Sequence, residues 1–128
     1  MTHKYAVKKN IDKSGGADNV QYYATSISSG IVSTKELADI LTQRSSLTAG
    51  DVVSTLIGLS ELVQEKLQQG YKVRLDGIGI LSLSVTSDGY DTPEGCTPSR
   101  VRAKRVCFRA DTDLKKSLKK IKFRRADR

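Results

Sequence analysis

At 128 residues, with 38% apolar and 5% aromatic content and no tryptophan, the chain is the size of one domain with a modest core. A core this small leaves a lone monomer short of buried surface, so oligomerisation is expected. Twenty-two basic and 14 acidic residues give a formal net charge of +8, no stretch approaches the ~20 apolar residues of a membrane span, and Met1-Thr2-His3-Lys4 lacks an apolar signal region, so a cytoplasmic location is expected.

The position of the charge says more than its sum. Residues 100–128 hold 13 Lys and Arg against 3 Asp and Glu, whereas residues 1–99 are slightly acidic. Such asymmetry points to a polyanion, either nucleic acid or a membrane surface, and a run this dense favours nucleic acid over a merely solvated tail. Cys96 and Cys107 show neither C-x-x-C nor zinc spacing and read as reduced thiols, with a bridge across the segment between them as the minor alternative.

Residues 4–11 and 20–27 are two β-prone runs joined by a polar Gly15-Gly16 cluster, which predicts a hairpin. A hairpin alone is marginal in water and must lie against other structure. Tyr5, Tyr22 and Tyr23 are assigned to strand packing rather than base stacking. Ser33-Thr34-Lys35-Glu36 is a capping-box pattern opening a short helix that carries Leu37, Ile40 and Leu41 and ends near Arg44. A longer helix starts from Thr48, with Asp51 three residues on, and runs to Gln69, where Gly70 supplies the stop. Its apolar residues, from Val52 to Leu67, cover more than one stripe, so it needs two surfaces to bury them, one of them on a second copy of the chain.

Tyr71-Lys72-Val73-Arg74-Leu75-Asp76, the Gly77-Ile78-Gly79 turn and Ile80-Leu81-Ser82-Leu83-Ser84-Val85 predict strand, tight turn and strand. With two glycines and a strand following, Gly77-x-Gly79 is no nucleotide-binding loop. Residues 86–99, rich in turn formers and containing both Pro93 and Pro98, form a projecting loop. On the return strand Arg100, Arg102 and Lys104 alternate with Val101, Ala103 and Arg105, which at a period of two predicts a basic stripe, with Phe108 as a core anchor. Asp111-Thr112-Asp113 is expected to cap a final helix with Leu114, Leu118 and Ile121 as its apolar stripe and lysines around it, fraying from Phe123 onward. No catalytic constellation is readable: His3 is the one histidine, and no paired carboxylates or activated nucleophile can be placed. No cofactor, metal or small-molecule substrate is expected.

The order of these elements resembles the bacterial histone-like HU/IHF DNA-binding family. Val73-Arg74-Leu75-Asp76-Gly77-Ile78-Gly79-Ile80-Leu81 is similar to its V-x-L-x-G-F-G-x-F turn, and Phe108-Arg109-Ala110-Asp111-Thr112-Asp113-Leu114-Lys115 to its F-x-x-G-x-x-L-K closing motif. The hairpin of residues 4–27 is similar to the extension of HU-related proteins from Bacteroides-type bacteria. The resemblance implies an α+β fold: a helical dimerisation body, a three-stranded antiparallel sheet with a protruding β-ribbon arm, a short C-terminal helix and an N-terminal β-hairpin extension. The expected organisation is an extension over residues 1–30, an HU/IHF-like domain over 31–122 and a basic tail over 123–128.

The resemblance further implies a nucleoid homodimer that grips double-stranded DNA in the minor groove without sequence specificity, and in which a proline near each arm tip wedges between base pairs. Pro93 matches the wedge position better than Pro98. Arg100, Arg102, Lys104, Arg105, Lys115, Lys116, Lys119 and Lys120 are the expected phosphate contacts. The tip departs from the family's R-N-P-x-T-G: it reads Tyr90-Asp91-Thr92-Pro93-Glu94-Gly95, and Asp88, Asp91 and Glu94 stand where cations are usual. Weak binding with little bending is therefore expected. Two other readings stay open, a protein-interaction dimer derived from the HU body and a binder of structured RNA.

Overall fold

The computed structural model of the chain describes residues 2–12, 14–16 and 19–126. The elements run β1 (Thr2–Asp12), β2 (Asn19–Ser26), α1 (Thr34–Arg44), α2 (Ala49–Gln68), β3 (Val73–Leu75), β4 (Gly79–Thr86), β5 (Arg102–Ala110), α3 (Thr112–Ser117) and β6 (Lys122–Arg125). The fold is α+β, with three helices and two three-stranded sheets among the described residues. Two compact units result: Met1–Ser33 with Ser117–Arg128, and Thr34–Lys116.

In the second unit, α2 has both ends closed by its own sequence. The Thr48 hydroxyl accepts from the Asp51 N–H at 3.1 Å, and the Asp51 carboxylate accepts from the Thr48 N–H at 3.3 Å. This reciprocal box satisfies two amides that the helix leaves without partners. At the other end Gly70 turns to φ +95°, the Tyr71 N–H donates to the Lys66 carbonyl at 3.0 Å, and the Gly70 N–H donates to the Leu67 carbonyl at 3.1 Å. That pair of bonds is a Schellman closure, and the Lys66 ammonium lies over the Tyr71 ring, 5.9 Å from its centroid. α1 packs on α2, and the buried apolar side chains of the described residues are Ala38, Val52 and Leu67. Ile57, Leu59 and Leu62 on α2, and Leu37, Ile40 and Leu41 on α1, remain exposed in the single chain.

β3, β4 and β5 form an antiparallel sheet in that order. Gly77, at φ +79°, makes the β3–β4 turn, and its N–H donates to the Asp111 carboxylate at 2.9 Å, while the Asp111 N–H donates to the Ile78 carbonyl at 2.8 Å. Asp111 therefore ties the turn to the end of β5, using the carboxylate that the sequence assigned to capping α3. Gly79 is required for a different reason: a Cβ there would overlap the Arg109 carbonyl and the edge of the Phe108 ring. Phe108 covers Gly79 but is not the core anchor expected, since it stays 53% exposed.

In the first unit β2 pairs antiparallel with β1, as the hairpin reading required, and β6 pairs parallel with β1 on its other edge. Here the structure corrects the sequence. The final helix stops at Ser117, a one-turn 3₁₀ helix follows at Leu118–Lys120, and Lys122–Arg125 pair with Thr2–Tyr5 instead of fraying as a tail. Residues 127 and 128 lie outside the described residues. Pairing across so long a sequence separation leaves no trace in local periodicity, which explains the difference.

Candidate nucleic-acid interface

Cross-strand partners in a sheet point to the same side, so the pairing pattern assigns each residue of β3–β5 to a face. One face collects Val73, Leu75, Leu81, Leu83, Val85, Ala103, Val106 and Phe108. The other collects Arg74, Ile80 and Arg109 in one row, then Ser82 with Cys107, Ser84 with Arg105, and Thr86 with Arg102. The sheet has an apolar side and a cationic side.

This differs from the predicted stripe of Arg100, Arg102 and Lys104. The pairing shifts between Ser84 and Val85: Val85 faces Ala103, Ser84 faces Arg105, and Lys104 is the extra residue of a β-bulge. The bulge reverses the phase, so Arg102 and Arg105, which simple alternation puts on opposite faces, share one. Arg109 and Arg74 join them. At ~3.3 Å per residue, Arg105 stands about 13 Å along β5 from Arg109 and about 10 Å from Arg102. Arg102 also approaches Asp88 at 3.8 Å, an exposed pair that holds it only weakly.

Arg100 is not on the strand. It ends a one-turn 3₁₀ helix, Pro98–Arg100, donates from Nη1 to the Gly95 carbonyl at 3.0 Å and lies 5.1 Å from the centroid of the Tyr90 ring. The loop tip is thus a knob folded around Tyr90, Gly95 and Arg100. Tyr90 packs so closely on Gly95 that a side chain there would collide with it. Pro93 starts a second 3₁₀ turn, Pro93–Gly95, and is exposed. Asp88, Asp91 and Glu94 are exposed around it.

At the base of the cationic face Arg74, Ile80, Arg109, Ala110, Asp111, Thr112 and Lys115 line a cleft of about 220 Å³. Lys115 is thereby brought to the same site as the sheet arginines. Lys116 is exposed on α3, and Lys119 and Lys120 lie on the 3₁₀ turn that belongs to the other unit. Sequence reasoning missed Arg74 and Arg109, although each is flanked by apolar residues in strict alternation, the signal that places both on the polar side. Cys96 and Cys107 are both free thiols. No group of His, Cys, Asp and Glu with metal-holding geometry occurs among the described residues, and no described helix is long and apolar enough to cross a membrane.

No curated protein sequence matches the chain significantly. A solved structure from Bacteroides vulgatus, described as a "Putative bacterial DNA binding protein", superposes on 98% of this chain with a TM-score of 0.67 at 10% identity. The chain spans about half of that protein's length, 48%. At such low identity the likeness concerns the fold. Residues 1–125 match the family HU-HIG, described as an HU domain fused to wHTH, Ig, or glycine-rich motif. With the G-x-G turn, the Phe108 closure and nearly the whole sequence matched, the chain belongs to the HU-HIG family.

Proposed function

We propose that this chain is an architectural DNA-binding protein that acts as a homodimer and holds duplex DNA mainly through phosphates. The observation that carries the reading is the two-sided β3–β5 sheet, with Arg74, Arg102, Arg105 and Arg109 on one face and no carboxylate in the same rows. Contacts from such a face to phosphates carry no base information, so binding through them is largely blind to sequence. The apolar face opposite supports the dimer. Val85, Val106 and Phe108 on the sheet are more than half exposed in one chain, as are Ile57 and Leu62 on α2. Apolar surface of this extent is stable in water only when a partner covers it.

The test is a fluorescence-anisotropy titration of a labelled duplex at several salt concentrations, with the dimer state followed by sedimentation. Each phosphate contact contributes about 0.9 to the slope of log K against log salt, so the four arginines give a slope near −3.6 per protomer, about a 150-fold loss between 50 and 200 mM salt, and up to about twice that slope for a dimer that engages both copies. The triple variant Arg102→Gln, Arg105→Gln, Arg109→Gln is expected to flatten that slope by about 2.7. A flat wild-type plot refutes the reading.

The acidic knob favours a second reading, a protein-interaction dimer that uses Asp88, Asp91 and Glu94 to meet a basic partner. It predicts that the arginine variants leave DNA retention unchanged. An RNA duplex competing as well as DNA would point to the structured-RNA reading instead.

A further inference from the structure

The β2–β1–β6 sheet lies outside the strands just assigned to DNA, and its pairing concentrates its cations on one face without confining them to it. His3, Tyr5, Val7, Lys9 and Ile11 of β1 share a face with Val20, Tyr22, Ala24 and Ser26 of β2 and with Phe123 and Arg125 of β6, so this mostly apolar face carries two cations, Lys9 and Arg125. The His3 and Phe123 rings meet edge to face with centroids 6.0 Å apart. The opposite face carries Lys4 and Lys8 of β1, Gln21, Tyr23 and Thr25 of β2, and Lys122 and Arg124 of β6.

The cations of that second face are grouped rather than scattered. Lys4 pairs in register with Arg124, Lys122 stands two residues before Arg124 on the same side, and Lys8 pairs with Tyr23. None of the four forms an ion pair among the described residues. Asp12 is the one acidic residue in the sequence of the three strands. Adjacent cations without counter-charges repel one another, so the sheet holds an unfavourable arrangement that a bound polyanion relieves. Tyr23, half exposed beside Lys8 and hydrogen-bonded to Gln21, adds a flat polar-tipped surface of the kind that lies against a sugar–phosphate backbone.

We infer that this face of the N-terminal sheet is a second DNA-binding surface, built from Lys4, Lys8, Lys122 and Arg124, that contacts duplex phosphates. The inference rests on the DNA-binding reading of the β3–β5 sheet and extends it to an element with no part in that site. It also gives β6 a role: the strand brings Lys122 and Arg124 from the far end of the sequence onto the face that Lys4 and Lys8 begin. Phosphate contacts on the second surface add to the total number of released counterions.

The experiment compares the full-length wild type with the variant Lys4→Gln, Lys8→Gln, Lys122→Gln, Arg124→Gln in duplex titrations from 50 to 200 mM salt. Circular dichroism checks that the sheet is intact. The expected result is a slope shallower by up to about 3.6 per protomer and at least about a tenfold weaker Kd at 100 mM salt. The conservative variant Lys4→Arg, Lys8→Arg, Lys122→Arg is expected to bind like the wild type. Should the quadruple variant lose its fold, the exposed single substitutions Lys8→Gln and Arg124→Gln carry the test, each lowering the slope by about 0.9 per protomer. Unchanged slope and affinity in the glutamine variants, while Arg102→Gln, Arg105→Gln, Arg109→Gln still weakens binding, overturns this inference and leaves the proposed function standing. A wild type that shows no salt-dependent duplex binding overturns both.

Discussion

Gly79→Ala tests how tightly the family turn is specified. The added methyl meets two obstacles of different kinds, the Arg109 carbonyl of the neighbouring strand and the edge of the Phe108 ring. The ring can swing aside. The carbonyl cannot, because β5 is fixed next to it by the Asp111 N–H bond to Ile78 and by the Asp111 carboxylate bond to Gly77. Overpacking against a yielding neighbour costs about 1 kcal/mol and against backbone about 3, so a loss of about 3 kcal/mol is expected. For a chain of this size that corresponds to a fall in Tm of roughly 8–15 °C. Thermal and urea denaturation followed by circular dichroism measure it, at several protein concentrations because association shifts the apparent stability. In a Phe108→Ala background the same substitution is expected to cost less but still well above zero, since only one obstacle has gone. A Gly79→Ala protein that melts within a degree or two of the wild type refutes the reasoning.

Two further outcomes follow from the same geometry. Asp111→Ala removes the acceptor of the Gly77 N–H, and a loss of about 1–2 kcal/mol is expected in urea denaturation, whereas Asp111→Asn, which keeps an acceptor oxygen, is expected to lose less. Pro93→Ala is expected to lower DNA bending measured by end-to-end FRET while leaving affinity within about twofold, because exposed Pro93 opens a short turn at the knob rather than a phosphate contact. An unchanged bend angle removes Pro93 from the wedge role.

What could be read from the sequence follows the range of the interactions involved. The N-cap at Thr48, the stop at Gly70 and the turn at Gly77 depend on residues within a few positions of one another, and all three are found where the pattern placed them; that Thr48 and Asp51 close a full capping box is added by the structure. The basic stripe departs from its expected form at two points, Arg100, which lies on a 3₁₀ turn before the strand, and the bulge at Lys104. A bulge needs no special residue, so nothing in Arg102-Ala103-Lys104-Arg105 announces that the phase reverses there. Arg74 and Arg109 were legible as alternating polar positions but gain meaning only when β3, β4 and β5 align them in a row. Phe108 carried the right motif and the wrong inference, because a family anchor does not have to be buried within its own chain. The strand β6 was not legible at all: Lys122 read as one more lysine of the final helix and Phe123, Arg124 and Arg125 as a charged tail until β1 supplies the edge they bind.

That edge has a consequence for the order of events during synthesis. Tyr5 pairs with Arg125, so β1 leaves the ribosome with one side satisfied by β2 and the other side bare. At translation rates of about 5–20 residues per second, roughly 6–24 s pass before β6 arrives. Over that interval the nascent hairpin offers an open row of backbone donors and acceptors to any neighbouring strand, including the same segment on another nascent chain. Lys4, Lys8 and Lys9 along β1 then act as guards, since like charges brought edge to edge repel before the ladder can close. The basic residues that we assign to DNA in the finished molecule keep the unfinished one apart from its copies.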